Sequence, residues 1–262
     1  MPEGDTIFRA ATTLHKALGG ARVTRFESAR LGTGPVGERV EEVVARGKNL
    51  LVRFEKGRTL RTHMRMHGSW HIYRAGERWR KPAFQARVVI ETDNGMVAVC
   101  FAAPVVEWLR PGSLDLGPDA TADGFDAAEA VRRLQWLRDE PIEEALLTQS
   151  AIAGVGNVIK CEALFSCRVD PFASVASLPP EKLEALVAEC HRLLVRNRVG
   201  GPRTARESFG RERFSVYDRA RKPCFVCGTE IVARRAKRIT WFCPRCQGSE
   251  ELVGSVEGRG PA

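Results

Sequence analysis

Apolar residues recur at Ile7, Ala10, Leu14 and Ala17/Leu18 behind Asp5, the 3.6-residue spacing of a helix capped by that aspartate and stopped by Gly19-Gly20. From Arg22 to about Leu116 the pattern changes to short β-rich runs at 50–54, 60–66, 70–73, 88–91 and 96–101, parted by glycine and charge. Runs of this length predict a β-sandwich or barrel. The loop-rich stretch 112–124 (GSLDLGPDATADG) marks a boundary. Helical patterns follow at 126–138, 141–150, 157–165 and 180–198, the last with Leu183, Leu186/Val187, Cys190 and Leu193/Leu194 on one stripe. Alternation at 239–242 reads as one arm of a β-hairpin.

The chain has 262 residues, 44% hydrophobic and 28% charged, which fits two modest globular domains and excludes wholesale disorder. The longest nearly apolar stretch, 96–106, is shorter than the roughly 18 residues of a membrane span and contains Pro104. No membrane partner is expected. The N-terminus places acids before bases and lacks an apolar signal core, so a cytoplasmic chain is expected. A net charge of +9 and a pI near 9.4 suggest a polyanionic partner. The surplus is local: residues 200–247 hold 12 bases and 4 acids. Charge alone leaves open a merely solvated face.

Within that basic quarter, Cys224-x2-Cys227 and Cys243-x2-Cys246 are separated by 15 residues. Each pair presents two thiolates to one ion, and two pairs close a four-sulfur structural zinc site. Gly228 follows the second cysteine, where such a turn favours positive φ. Disulfides or a redox centre are the competing readings; the cytoplasmic setting and the two matched pairs weigh against them. Cys100, Cys161, Cys167 and Cys190 lack ligand spacing and read as buried small hydrophobes. The histidines carry no metal pattern, and His63 and His67 alternate with Met64 and Met66 along a strand-like stretch.

Between two helices lies AIAGVGN, 151–157. Gly154 and Gly156 allow a tight turn, and Asn157 opens a helix whose free N–H groups favour an anion. The segment is a phosphate clamp or simply an interhelical turn.

PEGDT after Met1, GKNLL at 47–51, QSAIAGVGNVIKCEALF at 149–165, and the stretch from FGRERFSVY through the four cysteines to RITWFCPRCQ together resemble the formamidopyrimidine-DNA glycosylase / endonuclease VIII family. The resemblance spans essentially the whole chain in order. It implies a multidomain α+β protein: an N-terminal helix plus β-sandwich over 2–116, a helix–two-turn–helix domain over 125–215, a zinc-finger β-hairpin over 216–248 and a flexible tail over 249–262. It also implies a monomeric, nucleoid-associated base-excision enzyme acting on damaged DNA, with one structural zinc ion.

The site residues follow position by position. Removal of Met1 would expose the secondary amine of Pro2, the family's nucleophile toward the sugar C1′. An α-amino group titrates near 8, so about a quarter is free base near pH 7.5, against about a tenth of a per cent of a lysine. Glu3 resembles the family's catalytic carboxylate, Lys48 its second essential amine, and Arg238 and Asn157 its phosphate-gripping pair. Met66, in HMRMHGSW, matches the inserted wedge methionine and could equally be core. The sequence departs from the family where Asp5-Thr6 replaces a Pro-Glu pair and where no arginine–phenylalanine wedge follows Phe101. The opening PEGDT leans toward the endonuclease VIII side, hence toward oxidised pyrimidines and β,δ-elimination. An 8-oxoguanine-preferring enzyme is the near alternative, and a non-catalytic zinc-ribbon DNA-binding protein the distant one. A binder has no need of Pro2, Glu3 and Lys48 together.

Overall fold

The computed structural model describes residues 2–110, 112–206 and 212–249. Met1, the opening of the FGRERFSVY stretch and the expected tail from 250 onward lie outside the described residues. Two compact units divide between Asp115 and Leu116.

In the first unit, helix α1 (Gly4–Leu18) buries Ile7, Ala11, Leu14 and Leu18 on one stripe. Its N-cap is Glu3, and Asp5 sits inside the first turn, correcting the expectation that Asp5 caps the helix. The helix seats on a sandwich of two four-stranded antiparallel sheets. One orders β1 (Val23–Glu27), β6 (Ala86–Thr92), β7 (Met96–Phe101) and β5 (Ser69–Arg74). The other orders β2 (Val40–Arg46), β3 (Asn49–Phe54), β4 (Thr59–His63) and β8 (Val105–Trp108). Leu50, Val52, Phe54, Leu60, Val88, Ile90, Ala98 and Cys100 meet between the sheets, with the α1 stripe completing the core. The strand expected through Met66 ends at His63. Gly68 N–H closes a turn onto the Met64 carbonyl at 2.8 Å. A Cβ on Gly68 would lie 2.7 Å from Met64 backbone, so this turn requires glycine.

In the second unit, α2 (Ala127–Gln135), α3 (Ile142–Ala145), α4 (Asn157–Ser166) and α5 (Pro180–Arg196) enclose a core of Leu134, Ile142, Leu146, Ile152, Ile159, Leu164, Leu186 and Leu194. Asp126 caps α2 through the Glu129 N–H. The helix expected over 141–150 shrinks to α3; Leu147 and Thr148 N–H groups bond three residues back and the chain leaves as turns. Hairpin strands β9 (Val232–Arg235) and β10 (Ile239–Phe242) and the one-turn α6 (Pro244–Gln247) complete the unit. They share a small core with α4, in which Cys161 packs with Val216, Ile231, Cys224 and Cys243. Cys100, Cys161 and Cys190 are buried as expected, whereas Cys167 is only half-buried.

Candidate active site and metal centre

Residues 2–5 form the entry to α1. Pro2 is half-buried, while Glu3 and Asp5 are both 0% exposed. The Glu3 carbonyl accepts the N–H groups of Thr6 and Ile7 at 3.0 and 3.1 Å, which locks the residue at the helix N-terminus. A carboxylate there sits at the favourable end of the helix dipole, one residue after Pro2.

Lys48 sits half-buried at the tip of the β2–β3 hairpin, whose flanking residues Arg46 and Asn49 pair. Gly47 has φ +56°, and a glycine with positive φ first in a two-residue loop fits a type II′ turn. The hairpin packs under α1. His63, at the end of β4, faces this lysine: burial, then Lys48, Arg61 and Arg65, hold its imidazole below the ordinary histidine range. Its Nδ1 accepts the Arg65 N–H at 3.2 Å. A neutral ring ringed by cations is poised to gain a proton when an anion arrives. The sequence marks His63 only as a face residue. Met66 stands at 57% exposure on the turn after His63, while Met64 is the core member.

In the second unit, Gly154 has φ +94° and its N–H donates to Gln149 Oε1 at 3.1 Å. Asn157 is 6% exposed; its Nδ2 donates to the Ile239 carbonyl at 2.8 Å, and its Oδ1 is buried without a hydrogen-bond partner. The amide thus braces the residue next to Arg238. Arg238 itself is exposed on the loop between β9 and β10, beside Lys237, which pairs with Glu144.

Two further buried polar links tie α4 to the chain beyond 214, one at the hairpin and one at 215–217. Lys160 Nζ lies 3.0 Å from Glu143 Oε2 and 2.7 Å from Thr240 Oγ1, and Thr240 also bonds Glu143. Glu162 accepts the N–H groups of Ser215, Val216 and Tyr217 at 2.7, 2.9 and 2.8 Å, although burial pushes its carboxyl upward. Neither link is legible in the sequence, where the only signal is charge within a short apolar helix. Removing one partner of a buried pair leaves the other desolvated, so Lys160→Met should cost about 3–5 kcal/mol. Urea unfolding of the two proteins measures it, and an unchanged midpoint would refute the link.

The four cysteine Sγ atoms of 224, 227, 243 and 246 all lie within 4.8 Å of one another. Cys227 and Cys243 are 3.4 Å apart and Cys224 and Cys246 3.9 Å. Zinc–sulfur bonds of about 2.3 Å in a tetrahedron place sulfurs about 3.8 Å apart, so the set fits that ion. Gly228 has φ +76° and returns its N–H to the Cys224 carbonyl, as the knuckle requires. Hydrogen bonds from Thr229 hold the Cys227 thiol down to about 6, while burial pushes Cys246 up to about 11. A metal taking all four thiolates displaces protons, so its hold weakens as pH falls. Cys243→Ser or strong chelation should release the hairpin and abolish DNA binding, with one zinc per chain measured beforehand. Arg238→Ala in the zinc-loaded protein should weaken binding across sequences and lower the salt slope by about 0.9. A protein purified without zinc, or an unaltered slope, would contradict this pair of expectations.

Among the described residues no helix is long and apolar enough to cross a membrane. Residues 1–102 match the formamidopyrimidine-DNA glycosylase N-terminal domain, and 116–204 match the formamidopyrimidine-DNA glycosylase H2TH domain. The chain is 39% identical to "Probable endonuclease 8 2" of Streptomyces coelicolor, covering 94% of each chain. It is 34% identical to "DNA-(apurinic or apyrimidinic site) lyase Nei2" of Mycolicibacterium smegmatis, over 94% of this chain and 99% of that one. Its fold is similar to the MutM (Fpg) protein of Thermus thermophilus, with TM-score 0.78 and 28% identity over 94% of this chain and 99% of that one. The chain belongs to the formamidopyrimidine-DNA glycosylase / endonuclease VIII family.

Proposed function

We propose that this protein is a bifunctional DNA glycosylase and AP lyase of base-excision repair that removes oxidised pyrimidines. The observation that carries the reading is the fully buried Glu3 carboxylate fixed at the start of α1, directly after Pro2. With Met1 removed, the Pro2 nitrogen lone pair attacks C1′ and the bond to the damaged base breaks, its electrons leaving with the base. Glu3 donates its proton to the sugar-ring oxygen, which opens the ring and leaves an iminium on Pro2. Loss of a C2′ proton then expels the 3′ phosphate, and a second elimination expels the 5′ phosphate. Phosphates therefore remain at both ends of the gap.

Lys48 and His63 supply cationic and protonatable donors to backbone phosphate, and exposed Met66 fills the space left by the extruded base. Arg238, braced through Ile239 by Asn157, grips phosphate on the second unit. Four cysteine thiolates hold one zinc ion that keeps the hairpin folded. The protein works as a monomer in the cytoplasm, at the nucleoid.

The pyrimidine preference is supported by PEGDT at the N-terminus and by the lack of an arginine–phenylalanine pair in 101–110. The endonuclease 8 relatives, at 34–39% identity, also stand somewhat above the formamidopyrimidine-DNA glycosylase of Symbiobacterium thermophilum at 33%. Initial rates measured side by side on thymine glycol and 8-oxoguanine duplexes should favour thymine glycol. Faster excision of 8-oxoguanine opposite cytosine would overturn the lesion class and leave the family intact.

A further inference from the structure

Between β5 and β6 the chain runs through RAGERWRKPAFQAR, 74–87, where Arg74, Arg78, Arg80, Lys81 and Arg87 accompany a single acid, Glu77. Several arginines elsewhere in this unit are matched to carboxylates: Arg25 to Glu27 and Glu91, Arg53 to Glu42, Arg61 to Glu107. Among the described residues none of the five bases in 74–87 makes an ion pair, and Glu77 instead accepts the Arg74 N–H at 3.0 Å. Such a cluster raises the local potential and is relieved by an anion.

The segment is pinned to the outer face of its sheet. Lys81 Nζ donates to Ser69 Oγ at 2.9 Å, and Ser69 Oγ lies 3.1 Å from His71 Nε2. His71 Nδ1 lies 3.0 Å from the Tyr73 hydroxyl, which accepts the Arg80 N–H at 3.1 Å. Trp79 stacks on Tyr73 and meets Phe101 edge-on, with centroids 6.4 and 5.8 Å apart. Residues 77–83 line a concavity of about 520 Å³. Beside it Phe84 is 79% exposed, the most exposed large apolar side chain among the described residues. Ser69, which anchors Lys81, follows Met66 by three residues, so the basic arm adjoins the wedge turn.

Cations on a segment anchored in this way, beside an exposed aromatic ring, suit a strand whose phosphates and unstacked bases are both available. A fully paired duplex offers the phosphates but no free base face. We propose that residues 74–87 form a second nucleic-acid contact, which holds an unpaired stretch of DNA with phosphates on Arg78 and Arg80 and one base on Phe84. This contact rests on the reading that the protein acts on DNA.

Fluorescence anisotropy of the full-length, zinc-loaded protein tests it with a single strand, a bubble and a full duplex, each carrying an abasic-site analogue. Phe84→Ala should weaken the single strand and the bubble by about tenfold or more and the duplex by less than about twofold. Arg78→Ala with Arg80→Ala should lower the single-strand salt slope by about 1.4, roughly 0.7 for each phosphate. Equal losses of Phe84→Ala on paired and unpaired DNA overturn the proposal, and so does unchanged DNA binding with lost affinity for polyglutamate. If the parent protein neither excises nor nicks, the glycosylase reading falls, while the binding comparison still decides the contact.

Discussion

A protein that retains Met1, or carries an N-terminal tag, should neither excise an oxidised base nor nick an abasic site. The chemistry requires a nitrogen with a lone pair at the head of α1, and acylation of Pro2 removes it. No other amine replaces it readily: a lysine near 10.4 is about a tenth of a per cent free base near neutrality, against about a quarter for an α-amino group. Lys48 is the competing amine that the family resemblance singles out, at the tip of the hairpin that packs under α1. Nicking rates of the tagged and fully processed proteins, at matched zinc content, compare the two amines. Equal rates would move the nucleophile to a side chain.

Glu3→Gln should lower base excision by about 10²–10⁴-fold, the scale of general acid–base catalysis. Glutamine keeps the shape and the N-cap backbone geometry, in which the Glu3 carbonyl receives two N–H groups. It lacks the proton that opens the sugar ring. Because Glu3 is fully buried, a second expected result separates chemistry from folding: affinity for an abasic-site analogue should survive. Parallel loss of affinity and rate would make Glu3 a structural residue. Asp5, equally buried within the first turn, provides the comparison, since Asp5→Asn leaves Glu3 in place.

The legible parts of this protein are those in which local pattern and tertiary burial coincide. The α1 stripe and the arm 239–242 each obey one periodicity, the run 96–101 is continuously apolar and buried on both faces, and all three are found where the sequence puts them. The two cysteine pairs were readable because four thiols at that spacing have few other uses, and their sulfurs do converge. Strand β2 escaped notice since Val40-Glu41-Glu42-Val43 breaks alternation, and the structure absorbs the irregularity as a register shift between Val40 and Glu42. Met66 was ambiguous because a strand through 66 and a turn after 63 differ only in the backbone reversal set by Arg65, at φ +43°, and Gly68. The least legible features are the long-range polar links. Lys160 and Thr240 are 80 residues apart, and nothing in α4 itself announces that its charges would be satisfied by a distant hairpin. His63 gained meaning only when the fold set Lys48, Arg61 and Arg65 around it.

Borohydride trapping on a thymine glycol duplex, followed by mass-spectrometric mapping of the crosslinked peptide, bears most directly on the central claim. Reduction of the iminium should leave a stable enzyme–DNA adduct on the N-terminal peptide, at Pro2. An adduct at Lys48 or another side chain would contradict the account, as would lesion processing with no trapped adduct.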